Sequence, residues 1–297
     1  MTENALRGLE PGLRRVLAPN PSPMTYRGTN TYILGDGDLV VIDPGPDDPK
    51  HLAAILGALR PGEGIQSILV THSHADHSPL ARRLSDQTGA PVLAAGPSDW
   101  GRSAVMTRLA DSGALGGGEG VDERFTPDRT IRDGDTLEGA WGRIEVLETP
   151  GHMANHLSFV WNGALFSGDL IMGWSTSLVS PPDGDMTAFL ASVRRIADRE
   201  DRIAYPGHGD PVDTPARRAA ELLAHRQARE AQILAALADI APATPAALAA
   251  HIYTDTPPAL LPAAARNVLA HLIDLYDRNE VTAPDPITAE TAFQRRI

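Results

Sequence analysis

The chain has 297 residues, a formal net charge of −12 and 42% hydrophobic residues, and it contains no cysteine. This length suits one large domain or one domain with a smaller appendage, and the hydrophobic content is ordinary for a protein that buries a core. The absence of cysteine excludes disulfides, thiolate metal ligands and a cysteine nucleophile, so any metal must be bound by His, Asp or Glu. The acidic balance argues against a non-specific polyanion-binding surface.

The amino-terminal segment, MTENALRGLEPGLRRVL, lacks the charged, then apolar, then small-residue layout of a secretory signal. No apolar run approaches the roughly 20 residues that span a bilayer. We therefore expect a cytoplasmic protein that makes no membrane contact. Lys50 is the single lysine beside 25 arginines. This bias, together with the high alanine content, indicates a GC-rich bacterial genome.

The first two-thirds of the chain alternate strand-like and helix-like segments, which predicts an α/β fold built in layers. Short apolar runs bounded by turn residues predict strands at 30–34, 39–43, 65–70, 91–95, 143–149, 157–161, 164–167 and 203–205. Helices are predicted at 51–60, 80–86 and 186–198, the last with Asp185 as its N-cap. The glycine-rich stretch 111–120, DSGALGGGEG, is expected to be a mobile surface loop.

After about residue 213 the pattern changes to helices, predicted at 217–237, 246–253 and 263–279, with a short extended piece behind them. Thr244 and Pro245 predict the N-cap and first residue of the middle helix. We expect a small winged-helix-like module at 214–297, after a larger α/β domain at 1–213. The module has eight arginines and nine acidic residues, a formal charge of −1. A DNA-reading helix-turn-helix should be basic, so we expect a scaffold, lid or dimer element and no DNA-reading surface.

Four metal-type ligands follow the predicted strand at 65–70 within the stretch THSHADHS. His72 and His74 are two residues apart, so in an extended segment their rings face the same side. Asp76 and His77 come as the chain turns toward the next helix, so they can point at a second position nearby. Imidazole suits zinc, iron or copper, and a carboxylate widens the choice to manganese. Nothing structural requires four such side chains in six residues, so the pattern predicts a metal site.

Three further residues fit the same site. His152 lies in ETPGHMANH, Asp169 in ALFSGDL and His208 in IAYPGHGD. Each follows an apolar strand and a tight turn, and in layered α/β folds sites are built at this edge of the sheet.

In this order, the seven residues resemble the metallo-β-lactamase fold superfamily over roughly residues 25–210. The resemblance implies a four-layer αββα sandwich with a dinuclear site in its cleft. It also implies the ligands of the two ions: His72, His74 and His152 for one, Asp76, His77 and His208 for the other, with Asp169 bridging. Asp43, in VVIDPG, resembles the aspartate that braces the metal-binding loop in that superfamily.

These ligands predict a metal-dependent hydrolase. Two divalent ions about 3.5–4 Å apart, with zinc as the first choice and manganese or iron as alternatives, would share a hydroxide available near neutral pH. The hydroxide would attack a carbonyl or a phosphorus, and the ions would stabilise the negative charge that develops on oxygen. Asp76 is also the expected catalytic residue, since it can steer the nucleophile or relay its proton.

Several features of the sequence narrow the choice of reaction. The absence of cysteine and the presence of Asp169 argue against a β-lactamase, and no flavodoxin-like domain follows. The absence of lysine after Lys50 weakens a glyoxalase II-like reading. The stretches GTNTYILG, YPGHG and LLAHRQAREAQIL, with the three-helix tail, resemble the β-lactamase-like protein 2 group, whose animal members are single-strand-specific endoribonucleases. Met153 stands where that group often has Thr or Ser.

Two hypotheses therefore stay open: a single-strand endoribonuclease, and a hydrolase of small carboxylic esters, thioesters or lactones. They share every metal ligand and differ in the cleft walls, because RNA needs an extended groove and a small acyl group needs an apolar pocket. A metal-binding scaffold without catalysis is a third reading, which the complete ligand set argues against. No sequence feature indicates an oligomeric state.

A few residues around the predicted site carry weaker signals. His156 is expected beside the ligands rather than among them. Trp174 follows Asp169 closely and either stacks on substrate or packs in the core. On the long carboxyl-terminal helix, the polar group His225, Arg226, Arg229 and Glu230 is either a solvated face with an Arg226–Glu230 pair or a substrate contact.

Overall fold

The computed structural model describes residues 6–118 and 120–296. A seven-stranded sheet opens the fold, with its strands side by side in chain order. Its first four strands are antiparallel and the rest are parallel. The strands are β1 (Leu6–Glu10), β2 (Leu13–Leu17), β3 (Asn30–Asp36), β4 (Asp38–Ile42), β5 (Gly64–Leu69), β6 (Val92–Ala94) and β7 (Arg129–Thr130).

A second sheet has five strands in the order β12-β11-β10-β9-β8, antiparallel except for the pair β11 and β12. The strands are β8 (Thr136–Gly139), β9 (Gly142–Glu148), β10 (Leu157–Trp161), β11 (Ala164–Gly168) and β12 (Ile203–Pro206). Four helices accompany the two sheets: α1 (Pro49–Gly57), α2 (Leu80–Thr88), α3 (Ala104–Asp111) and α4 (Met186–Ala197).

Three apolar cores hold these layers together. The two sheets pack face to face through large side chains such as Tyr32 and Phe159. The other face of the first sheet packs on α1 and α2, around Ile33 and Leu84. The other face of the second sheet packs on α4, around Phe189. The predicted four-layer αββα sandwich is therefore confirmed.

The carboxyl-terminal module consists of α5 (Pro215–Ile240), α6 (Pro245–Ile252), α7 (Leu261–Asp277) and a two-stranded wing of β13 (Val281–Thr282) and β14 (Gln294–Arg295). Thr244 is the N-cap of α6, and its hydroxyl accepts a hydrogen bond from the Ala247 amide at 3.2 Å, as its position before Pro245 predicted. The first half of α5 packs on the sandwich and its second half on α6 and α7. One helix thus ties the module to the larger domain, whose predicted boundary at residues 213 and 214 precedes it.

All the predicted helices and strands are present, with ends shifted by three residues at most, and Asp185 caps α4 as expected. The hairpin of β1 and β2 was not predicted, because two arginines interrupt the apolar pattern of LRRVL. Arg14 is nevertheless buried, since its guanidinium donates to the Ala58 carbonyl at 2.7 Å and pairs with Glu63 at 2.8 Å.

Most described residues of the glycine-rich stretch 111–120 are exposed, as its composition suggested, but the stretch is anchored to the rest of the structure. Leu115 is buried in the core of the carboxyl-terminal module, and its carbonyl accepts a hydrogen bond from Arg266 at 2.9 Å. The amide of Gly118 donates to Asp183 at 2.8 Å. Residue 119 lies outside the described residues. So do residues 1–5, which begin the segment predicted to lack a secretory signal.

Within the described ranges, none of the helices combines the length and the apolar character needed to cross a bilayer.

The turn at Gly151, which precedes His152, offers a test of how closely the second sheet packs against α4. A Cβ added there would lie 2.2 Å from the Phe189 Cα, in a backbone conformation with φ +134. We expect Gly151→Ala to lower the free energy of unfolding by about 3 kcal/mol, because the α4 backbone cannot move aside cheaply. Gly37→Ala is the matched control, since Gly37 has φ +84 but open space around it. It should cost only the left-handed strain of about 1–2 kcal/mol. Urea denaturation measures both, and equal losses would contradict the packing argument.

Candidate metal centre

The predicted ligands converge because each follows the end of a strand at one edge of the sandwich. His72 follows β5, His152 follows β9, Asp169 directly follows β11 and His208 follows β12. A tight turn then brings Asp76 and His77 back toward His72, since the amide of His77 donates to the His74 carbonyl at 2.9 Å.

Ligand atoms of the seven residues form two adjoining groups, within each of which the atoms lie no more than 4.8 Å apart. The first group is His72, His74, His152 and Asp169, and the second is Asp76, His77 and His208. In the first, the Nδ1 of His74 lies 3.0 Å from the Nε2 of both His72 and His152. In the second, the Nε2 atoms of His77 and His208 lie 3.4 Å apart. Ligands bound about 2.0–2.1 Å from one tetrahedral ion would lie about 3.3 Å apart, so both spacings fit an ion.

Asp169 lies between the two groups. Its Oδ2 is 3.6 Å from the Nε2 of His152 and 3.3 Å from that of His208, and its Oδ1 is 3.6 Å from the Nε2 of His77. Among the described residues, nothing donates a hydrogen bond to the buried Oδ1. A buried carboxylate oxygen without a partner is costly, and a cation between the two groups would satisfy it.

Hydrogen bonds on the far side of four imidazoles orient their rings. In each, Nδ1 meets a protein oxygen: Thr71 Oγ1 for His72, Asp43 Oδ2 for His77, the Leu178 carbonyl for His152 and the Gly28 carbonyl for His208. A proton held on Nδ1 leaves the lone pair of Nε2 directed at the cluster, which is the tautomer that binds a metal. The donor set therefore fits divalent metal ions.

Comparison with known proteins agrees with this geometry. A family model described as the metallo-beta-lactamase superfamily matches residues 24–208, and another described as the beta-lactamase associated winged helix domain matches residues 244–285. The chain belongs to the metallo-beta-lactamase superfamily. It is a hydrolase of that superfamily, and it carries the associated winged-helix domain.

Three relatives illustrate the similarity. The chain is 32% identical to a beta-lactamase-like protein 2 homolog from Drosophila melanogaster, over 91% of this chain and 90% of the relative. It is 30% identical to an atrochrysone carboxyl ACP thioesterase from Aspergillus fumigatus, over 78% of this chain and 67% of the relative. The crystal structure of a metallo-beta-lactamase family protein from Thermus thermophilus superposes with a TM-score of 0.77 at 29% identity, over 97% of this chain and all of that one.

Burial lowers the pKa of some imidazoles of the site, while neighbouring carboxylates raise the pKa of others. Burial lowers the pKa of His74 to about 3 and that of His72 well below its usual value, so both are neutral. Burial acts in the same direction on His208, but Asp169 and Asp76 outweigh it and raise its pKa to about 9. The carboxylates raise the pKa of His77 likewise. The imidazoles of His77 and His208 thus hold protons that divalent ions would displace on binding.

Asp43 connects the metal-binding loop to β4. Its Oδ1 accepts from the Thr71 amide at 2.7 Å, and its Oδ2 accepts from the Thr71 hydroxyl at 2.7 Å and from His77 Nδ1 at 2.9 Å. Its backbone is left-handed, with φ +51, which aspartate tolerates better than most residues. The carboxylate therefore sets both the loop position and the tautomer of His77.

The other two predicted neighbours of the ligands take different places. His156 is buried, its Nδ1 lies 2.9 Å from Thr149 Oγ1, and its Nε2 accepts from the Asp169 amide at 3.2 Å. Both ring nitrogens are used, so His156 positions Asp169. Trp174 stacks on Tyr26 with ring centroids 5.0 Å apart and borders a cavity over the ligands.

Three residues of the motif GTNTY support the site in ways the pattern did not reveal. Thr29 Oγ1 donates to Asp76 Oδ2 at 3.0 Å. Asn30 and Tyr32 both donate to the Pro206 carbonyl, at 2.9 Å and 2.7 Å, and so hold the turn that carries His208. The hydrogen-bond partners of these residues lie 47 to 176 residues away along the chain. No local sequence pattern could therefore indicate these roles.

The cavity has a volume of about 440 Å³ and runs from the metal-type ligands to the winged-helix domain. His225, Arg226 and Arg229 of α5 line it, as do Tyr253 and Asn267. His225 is exposed, but the solvated-face interpretation is wrong for Arg226. Arg226 is 2% exposed and donates to the carbonyl of Ser177 and to Asn267, and no Arg226–Glu230 pair forms. Glu230 pairs instead with Arg278, at 2.6 Å.

Asp43→Asn tests how much the bracing of His77 contributes to metal binding. An asparagine Oδ1 can still accept from the Thr71 amide, but its Nδ2 cannot accept from His77 Nδ1. We expect affinity for divalent ions to fall about 10- to 100-fold, measured by competition with a chromophoric zinc chelator. Asp47→Asn is the control, because Asp47 is exposed and pairs with Arg83. Equal affinity in all three proteins would show that the bracing does not reach the metal.

Proposed function

We propose that this hydrolase cleaves a carboxylic ester or thioester of a small acyl compound. The observation that carries the proposal is the lining of the cavity. Apart from the metal-type ligands, its walls are largely apolar, with Met24, Met172, Leu178, Leu260 and Ala263 among them. A pocket of this size and character suits an acyl chain whose carbonyl lies against the ligands.

The proposed site binds two divalent ions. His72, His74 and His152 would hold one, Asp76, His77 and His208 the other, and Asp169 would contact both. Zinc is the first choice, because five of the seven donors are imidazoles and none is a thiolate; manganese and iron are the alternatives. When bound, the ions would polarise the scissile carbonyl and lower the pKa of water.

Side chains of the protein supply the remaining steps. Asp76 is the catalytic residue in this proposal, since its carboxylate faces the cavity. Thr29 donates a hydrogen bond to its Oδ2 at 3.0 Å. Asp76 would orient the attacking water and accept its proton. The Trp174 indole and the apolar walls would seat the acyl chain and exclude competing water.

Similarity is compatible with both the ester or thioester reading and the endoribonuclease one, because a beta-lactamase-like protein 2 homolog and a thioesterase are both relatives, so the choice between them rests on the walls of the cavity. The Aspergillus fumigatus relative is named a thioesterase and covers most of this chain. Few arginines near the cavity are free to follow a nucleic acid backbone: Arg226 is occupied by Ser177 and Asn267, and Arg27 pairs with Asp210 at 2.7 Å, which leaves Arg229 among the lining residues. RNA binding relies on neutralising phosphates.

One observation favours the second candidate, single-stranded RNA. Tyr26 is 41% exposed where it stacks on Trp174, beside the cavity. An exposed aromatic pair is a surface on which a base can stack. RNA therefore belongs in the same experiment.

Thiol release provides a direct test, because the chain has no cysteine to react with the thiol reagent. Zinc-loaded protein would be given N-acetylcysteamine thioesters of increasing acyl length and, separately, end-labelled single-stranded RNA. We expect thioester cleavage that falls about 10²-fold or more in the double variant His74→Ala/Asp76→Ala and with chelator, because ligands are lost.

His251→Ala is the matched control, since His251 is exposed on α6, away from the ligands. It should cleave thioesters like the native protein. Cleavage of RNA alone, with every thioester and ester intact and the loss confined to the double variant, would overturn the proposal in favour of the endoribonuclease.

A further inference from the structure

The far wall of the cavity, formed by α5 and Tyr253, carries a cation without a counter-ion. The guanidinium of Arg229 lies over the Tyr253 ring, with its Cζ 3.8 Å from the ring centroid. Its Nε is buried, and in the described part of the chain no residue accepts a hydrogen bond from it or forms an ion pair with it. Stacking on tyrosine uses the face of the guanidinium and leaves its N–H edge for another partner.

The surroundings of Arg229 add positive charge. Arg226, on the same helix, is buried and bonds neutral oxygens of Ser177 and Asn267. Burial, with the neighbouring Arg229, lowers the pKa of Arg226 to about 10. The carboxylate of Asp183 also borders the cavity, but Arg102 neutralises it at 2.6 Å.

This arrangement is unusual within a chain of net charge −12. Other partly buried arginines bind carboxylates, as Arg14 does with Glu63 and Arg199 with Asp201, or backbone carbonyls, as Arg266 does. Among the residues that line the cavity, the buried polar atoms without a partner are donors, on Trp174, Arg226 and Arg229, apart from Asp169 Oδ1 at the metal site. Guanidinium groups that line a cavity without a carboxylate partner favour a ligand that supplies acceptors.

We propose that Arg229 forms an anion subsite that binds a carboxylate at the end of the acyl chain remote from the scissile bond. This inference rests on the proposed ester or thioester hydrolysis and names its substrate class: half-esters or half-thioesters of dicarboxylic acids. A carboxylate matches the planar fork of a guanidinium with two parallel hydrogen bonds. The apolar walls between the far wall and the metal ligands then contact the methylene chain.

The test compares charged and neutral substrates of equal length. The p-nitrophenyl half-esters of adipic, suberic and sebacic acid would be set against the same compounds with the free carboxylate capped as a methyl ester. At one chain length we expect the charged substrate to have a kcat/KM at least about tenfold above its neutral counterpart, as a charge-assisted hydrogen bond provides. The preference should lie mainly in KM.

Variants test whether Arg229 is responsible for the preference for charged substrates. Arg229→Met should bring the ratio of charged to neutral kcat/KM close to one, and Arg229→Lys, which keeps the charge without the fork, should give an intermediate ratio. Arg217→Met is the control, because Arg217 is on the same helix with its side chain 76% exposed. It should leave the ratio and both rates unchanged. Equal ratios in the native protein and Arg229→Met at every length would overturn the subsite, while hydrolysis of the neutral esters would leave the proposed function intact.

If neither ester class is hydrolysed, the proposed function fails and binding decides the subsite separately. Isothermal titration of metal-free protein would compare the monomethyl ester of each dicarboxylic acid, which keeps one carboxylate, with the neutral dimethyl ester. Preference for the monomethyl ester in the native protein, lost in Arg229→Met, supports the anion subsite. Equal affinity of both compounds, or a preference that survives in Arg229→Met, overturns it.

Discussion

Burial of ionisable side chains at one edge of the sandwich is the constraint to which the rest of the structure responds. Charged groups removed from water must be paired or hydrogen-bonded. Asp43 meets this requirement for the metal-binding loop, because one carboxylate accepts from a backbone amide, a hydroxyl and an imidazole. Close packing around the ligands follows from the same need: a Cβ on Gly207 would lie 2.5 Å from Asp169 Oδ1, so only glycine lets the turn before His208 pass there.

The winged-helix domain takes part in the site through a second buried charge. Arg226 crosses from α5 to the Ser177 carbonyl, eight residues beyond Asp169, and to Asn267 on α7. Asn267 in turn accepts from the Val179 amide at 3.1 Å. A buried arginine with these partners makes the position of α5 depend on the loop after β11. The domain thereby closes the cavity over the ligands instead of standing apart from them.

Features that depend on neighbouring residues in the chain could be predicted from the sequence, while those that depend on distant contacts could not. The ligands were identifiable because each follows an apolar strand and a short turn, a pattern that local chemistry determines. Arg226 was misread because Arg and Glu four residues apart are typical of a solvated helix face, and only the packing of α5 against Ser177 reverses that reading. The anchoring of the stretch 111–120 was missed for the same reason, since its glycines suggested freedom while Leu115 fills a core formed mostly by residues from Ile233 onward.

The residues that would select a substrate are therefore separate from those that would bind the metal ions. The ligands come from strand ends of the sandwich, whereas the far wall of the cavity comes from α5 and the residues around Tyr253. Under the proposed ester or thioester hydrolysis, substitutions on α5 would change which acyl compound fits without moving a ligand, because the strand ends are held by Asn30, Tyr32 and Asp43 from within the sandwich. The long helix α5 suits this division, since Arg226 holds it against the loop after β11. Arg229, one turn further along, lines the cavity and would present its charge to the proposed substrate.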